Sequence, residues 1–93
     1  MPFFRNKAQK IFVFATDLDG SPKTGNAANI VAQYSINGGT TTVTNDANPT
    51  ELDATDAPGM YYFDMLAAET DGESVLLFAK SATAGVMLRP VLL

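Results

Sequence analysis

The sequence predicts an all-β fold: a small seven-stranded antiparallel β-sandwich of immunoglobulin-like type behind an extended N-terminal arm. Three observations carry this. Seven short runs are rich in β-branched and aromatic residues. Turn signals separate them every 8–12 residues or so, as in small sandwiches. No stretch shows the 3.6-residue periodicity of a long amphipathic helix. Residues 1–9 read as the arm and 10–93 as the sandwich domain, and 93 residues make one domain at most.

The arm carries Phe3 and Phe4 ahead of any periodic element, with Arg5 and Lys7 behind them. Two aromatics at a terminus either fold back or insert into a neighbour, and contact with a neighbour is the expectation. Lys10 to Thr16 (KIFVFAT) is the first strand, with Ile11, Val13 and Ala15 on one face and Phe12 and Phe14 on the other. Both faces are apolar, so the strand is covered twice or lies at an interface. Asp17 to Asn29 is a long connection punctuated by Asp19-Gly20, Ser21-Pro22 and Thr24-Gly25. Ile30 to Ile36 alternates, placing Ile30, Ala32, Tyr34 and Ile36 inward and Val31, Gln33 and Ser35 outward. Asn37-Gly38-Gly39 is a hairpin signal, because Asn and Gly tolerate the positive φ of tight turns. Thr40 to Thr44 returns as a polar strand suited to an exposed or edge position.

Thr50 to Ala54 forms a short strand with Leu52 pointing inward. Pro58-Gly59 then turns the chain into the central strand. There Tyr61, Phe63 and Met65 alternate with Met60, Tyr62, Asp64 and Leu66. At Ala67-Ala68-Glu69 the β pattern stops and a short helical turn is expected. Ser74 to Ser81 is the next strand. If Lys80 faces solvent, so do Leu76 and Phe78, leaving Val75, Leu77 and Ala79 inside. Val86 to Leu93 is the last, and Pro90, which lacks an N–H, puts it at an edge or breaks it.

Composition excludes more than it names. With no Cys and no His, neither a disulfide staple nor a usual structural zinc site is expected. Asp17-Leu18-Asp19-Gly20 looks like the opening of a calcium loop, but no acid stands at the next ligand position and no distal Glu follows, so turn chemistry is the reading. Nucleophilic catalysis needs an activating base, and no His is present to be one. Asp64 and Glu69 suggest a carboxylate pair; the plainer reading has Asp64 on the outer face of its strand and Glu69 bracing the corner. No catalytic, cofactor or metal residue is expected. Neither a membrane-spanning run nor the order of a secretory signal is seen.

The net charge of −4 hides an asymmetry. Arg5, Lys7 and Lys10 stand without an acid in the first ten residues, whereas all ten acids follow, against only Lys23, Lys80 and Arg89. An acidic body makes nucleic acid a poor partner, while a basic arm on that body suits a chain that docks its neighbour head to tail. Charged residues are only 17% and hydrophobic residues 46%, so part of the exterior must be apolar. The expected interface residues are Phe3, Phe4, Arg5, Lys7, Phe12, Phe14, Met60, Tyr62, Leu66, Leu76 and Phe78, with the strand residues forming one outer face.

The turn punctuation carries a resemblance. Asp19–Gly25 (DGSPKTG), Asn37–Gly39 (NGG), Asn48–Glu51 (NPTE), Pro58–Met65 (PGMYYFDM), Ala67–Thr70 (AAET) and Ser81–Val86 (SATAGV) fall in an order similar to that of a small family of modules. The chain resembles the Ig-like β-sandwich module of tailed-bacteriophage virion structural proteins, over almost everything but the first nine residues. The resemblance implies a non-enzymatic virion structural protein, made in the host cytoplasm and without cofactor. It would touch other virion proteins, such as a major capsid protein or tail and neck proteins, as a homo-oligomer in the particle. Read as free-standing, without a distal receptor domain, the chain points to a capsid cement or decoration protein. The alternatives are a tail, neck or fibre-adaptor protein and, from another class, a carbohydrate-binding adhesion module stacking sugars on Tyr61 or Tyr62.

Overall fold

The computed structural model describes residues 3–93 as two four-stranded antiparallel sheets whose inner faces share one core. The strands are β1 (Gln9–Thr16), β2 (Ile30–Ile36), β3 (Thr42–Val43), β4 (Thr50–Asp53), β5 (Ala57–Met65), β6 (Val75–Ser81), β7 (Met87–Leu88) and β8 (Val91–Leu92). One sheet runs β4-β5-β1-β7 and the other β3-β2-β6-β8. The described strands number eight rather than seven because Pro90 divides the last run. Its first half pairs with β1 and its second half with β6, so one segment edges both sheets.

Alternation places the core as expected. Ile11, Val13 and Ala15 of β1 face Tyr61, Phe63 and Met65 of β5 on the inner side of one sheet. Ile30 and Ala32 of β2 join Leu77 and Ala79 of β6 on the inner side of the other. Asn37 and Gly38 adopt φ of 52° and 75°, and Gly39 donates to the Ile36 carbonyl at 2.9 Å, the tight turn their sequence predicts. β3 is indeed an exposed edge strand, though only two residues pair.

Three expectations are corrected. Ser35 is buried, because the turn at 37–39 folds over it and its hydroxyl donates to the Gly39 carbonyl at 2.7 Å. Leu52 is exposed; register puts Glu51 opposite the inward Tyr61, and the Glu51 carboxylate accepts the Gly25 N–H at 3.2 and 3.3 Å. The arm is not extended. Residues 3–8 turn back through Asn6 (φ 56°), whose N–H donates to the Thr70 carbonyl at 3.0 Å. The buried Thr70 hydroxyl accepts the Lys7 N–H at 3.1 Å, and the Gln9 amide grips both backbone groups of Phe4.

At the other end, Tyr61 fastens the 17–29 connection, which Asn26 in turn ties to the loop after β6. Its hydroxyl donates to the Lys23 carbonyl at 2.7 Å and accepts the Asn26 N–H at 3.1 Å. The buried Asn26 side chain in turn donates to the Thr83 hydroxyl and accepts from the Ser81 hydroxyl. Tyr61→Phe keeps the ring and orphans the buried Asn26 N–H, so urea denaturation is expected to show a loss of about 1–3 kcal/mol. Burial pushes the Tyr61 hydroxyl above its usual value of 10.0. The wild-type protein should therefore lose stability as pH rises past 10, and the Phe variant should lack that part of the alkaline limb.

Candidate interaction faces

The outer side of the β4-β5-β1-β7 sheet is built by the register of its two central strands. Phe12 lies opposite Tyr62, Phe14 opposite Met60, and Lys10 opposite Asp64. The Phe12 and Tyr62 rings sit 5.7 Å apart at 54°, a tilted aromatic pair. Lys10 closes one end of the stripe, with Nζ 2.9 Å from the Asp64 carboxylate and 4.9 Å from the centre of the Tyr62 ring. The hydrogen bond and charge of Asp64 hold the Lys10 ammonium above its usual pKa. At the other end Met87 lies opposite Thr16, and Leu18 is 76% exposed in the following loop. Phe14 itself is 46% exposed.

The opposite sheet has its own apolar exterior. Phe78, also 46% exposed, lies opposite Gln33 and shares a shallow groove with Val31 and Val43. Leu76 lies between Ser35 and the exposed Leu92. The single outer face expected from the sequence is therefore two faces on opposite sides of the molecule. Phe12, Phe14, Met60 and Tyr62 share one, whereas Leu76 and Phe78 belong to the other. Alternation tells inside from outside but not which sheet a strand joins.

The remaining expected residues scatter. Leu66 is exposed past the end of β5, bordering a shallow groove with Ala8 and Lys10. Phe3 is half-buried beside Ile11, Val91 and Leu93, and Phe4 is exposed. Arg5 bonds Asp71 of its own chain at 3.3 Å. Tyr61 is fully buried and offers no stacking surface, which removes it as a sugar platform; Tyr62 is half-buried. Sequence reasoning missed Met87, Val43 and Leu92, whose exposure depends on which edge their short strands join.

Asp64 is turned to Lys10, while Glu69 is buried, so the two carboxylates serve different partners. The Asp19 carboxylate accepts the Ser21 N–H at 2.9 Å, and this bond holds its pKa below the usual value; the segment is a turn. Among the described residues no three Asp or Glu side chains gather to hold a metal ion. No described helix is long and apolar enough to cross a membrane. Compared with known proteins, the chain matches no family model, no curated protein and no solved structure.

Proposed function

We propose that the chain is a non-enzymatic virion structural protein of a tailed bacteriophage, acting as a cement or decoration subunit on the capsid. The observation that carries the reading is the pair of apolar outer faces on a body of 5417 Å². A lone small protein seldom leaves large apolar residues clustered on both sides. The Ig-like reading rests on strand order. β4-β5-β1 corresponds to D-E-B of an immunoglobulin sandwich, and β3-β2-β6-β8 to C′-C-F-G. The virion reading rests on the resemblance in turn punctuation, and its placement on a capsid rests on the basic arm, the acidic body and the apolar faces.

Mass spectrometry of purified particles tests the reading, and absence of the chain from them would remove it. A paired substitution, Phe14→Ser with Met60→Ser, tests the face. Both side chains lie outside the core, so thermal unfolding should stay within a few degrees of wild type. Incorporation into particles is expected to fall at least tenfold; full incorporation would mean that this face is not the one covered.

A further inference from the structure

We infer that the free edge of β1 pairs with β1 of a second copy, antiparallel and about a two-fold axis, joining two sheets into one. This rests on the reading of the chain as an assembly subunit and names one partner for it.

The edge follows from pairing. β5 covers one side of β1 from Gln9 to Phe14, but β7 covers the other side only at Ala15 and Thr16. The Ala15 carbonyl points to the β5 side, where it accepts the Lys23 N–H at 2.9 Å and approaches Gly59. Backbone direction alternates along a strand, so Lys10 and Phe12 turn their N–H and C=O groups into the uncovered lane. In an immunoglobulin order this is where strand A would run, and here the arm folds back instead.

The other edges are defended. β3, β7 and β8 are two residues long, and Pro90 separates the last two. β4 carries Glu51 and Asp53 and a register shift between them. Along its lane β1 reads Gln9 to Phe14 (QKIFVF), with one charge, and that charge is engaged by Asp64. Below the lane the side of the molecule is apolar, formed by Phe3, Ile11, Val91 and Leu93.

Self-pairing fits this edge in length, face and charge. The lane ends at β7 on one side and at the arm on the other, and β1 is the strand of matching length. An even register keeps Phe12 and Phe14 on the outer face of both copies and sets Lys10 against an aromatic residue rather than another Lys10. The basic arm stands at the Gln9 end, and Asp17 and Asp19 at the Thr16 end. Arg5 and Lys10 already have partners within the chain, and Asp17 lies 4.0 Å from its own Lys23, so the two-fold brings Lys7 towards Asp19 of the second copy. A lane of about 20 Å on a body 19 Å thick would bury roughly 400 Å² per copy, at the weak end of specific interfaces. The pair is accordingly concentration-dependent in solution and reinforced where copies are held side by side.

Sedimentation velocity of the full chain from about 1 μM to about 1 mM tests this, together with amide hydrogen exchange at both ends of that range. The expected result is a monomer–dimer equilibrium in which the Lys10 and Phe12 amides slow at least tenfold at high concentration. Phe12→Pro removes one lane N–H without touching the β5 ladder and should weaken the dimer at least tenfold, whereas Phe78→Ser on the far face should leave it unchanged. A monomer at every concentration overturns the inference, as does association without slowing of these two amides, which is read in wild type even if Phe12→Pro does not fold. Particles that lack the chain would end the virion reading and leave the dimer standing.

Discussion

Replacing Gly59 by Ala is expected to cost about 3–5 kcal/mol, enough to leave the protein mostly unfolded at physiological temperature if its stability is typical of small domains. Two separate penalties meet at this position. Its φ is +83°, a conformation in which a Cβ costs about 1–2 kcal/mol. A Cβ there would also stand 2.8 Å from the Ala15 carbonyl oxygen, 2.8 Å from the Phe14 ring and 3.0 Å from the Pro22 Cβ. The ring can swing into solvent, but the carbonyl belongs to the end of β1 and the proline to the 17–29 connection. Making room means parting β5 from both. Gly20→Ala supplies the control: φ is +89° there too, yet nothing lies within 4 Å of the added carbon. Urea midpoints should therefore separate the variants by at least 2 kcal/mol at equal slope. Equal losses would show that backbone conformation alone is at work and that no close approach constrains the site.

The local grammar of this fold is legible in its residues; its long-range grammar is not. Tyr61, Phe63 and Met65 announce a buried face by spacing alone, and Asn37-Gly38 announces its turn by the φ values it tolerates. Pro90 announces a break, though not that the two halves would join different sheets. The errors share one cause. Leu52 is the more hydrophobic residue of β4, yet the partner of Tyr61 is fixed by pairing between strands, and that pairing gives the inner place to Glu51. Phe12 and Phe78 look equivalent along the chain and lie on opposite sides of the molecule, because β1 pairs with β5 while β6 pairs with β2. Phe3 and Phe4 read as a reaching arm because the hydroxyl that pins the segment belongs to Thr70, more than sixty residues away. Spacing therefore names outward residues without saying which surface they share.

Glu69→Gln, nearly isosteric, is expected to cost about 2–3 kcal/mol, more than its size suggests. The side chain is 3% exposed and both carboxylate oxygens accept backbone hydrogens, Oε1 from Leu66 at 2.8 Å and Oε2 from Asn45 at 2.9 Å. An amide offers one oxygen. Whichever way it is turned, its NH₂ group faces a backbone N–H and leaves that donor without an acceptor. The two donors lie on different parts of the chain. Leu66 opens the short turn at the end of β5, and Asn45 begins the segment that carries the chain from β3 across to β4. Glu69 thus fastens one sheet's corner to the crossing between sheets, work that needs two acceptor oxygens on one side chain. Glu69→Ala removes both acceptors and leaves a cavity, so it should exceed Gln in cost. The measurement that separates this account from simple packing is the order of the two variants plus exchange at two amides. Leu66 and Asn45 should exchange faster in both. If Gln matches wild type in urea, the bridge contributes nothing to the corner.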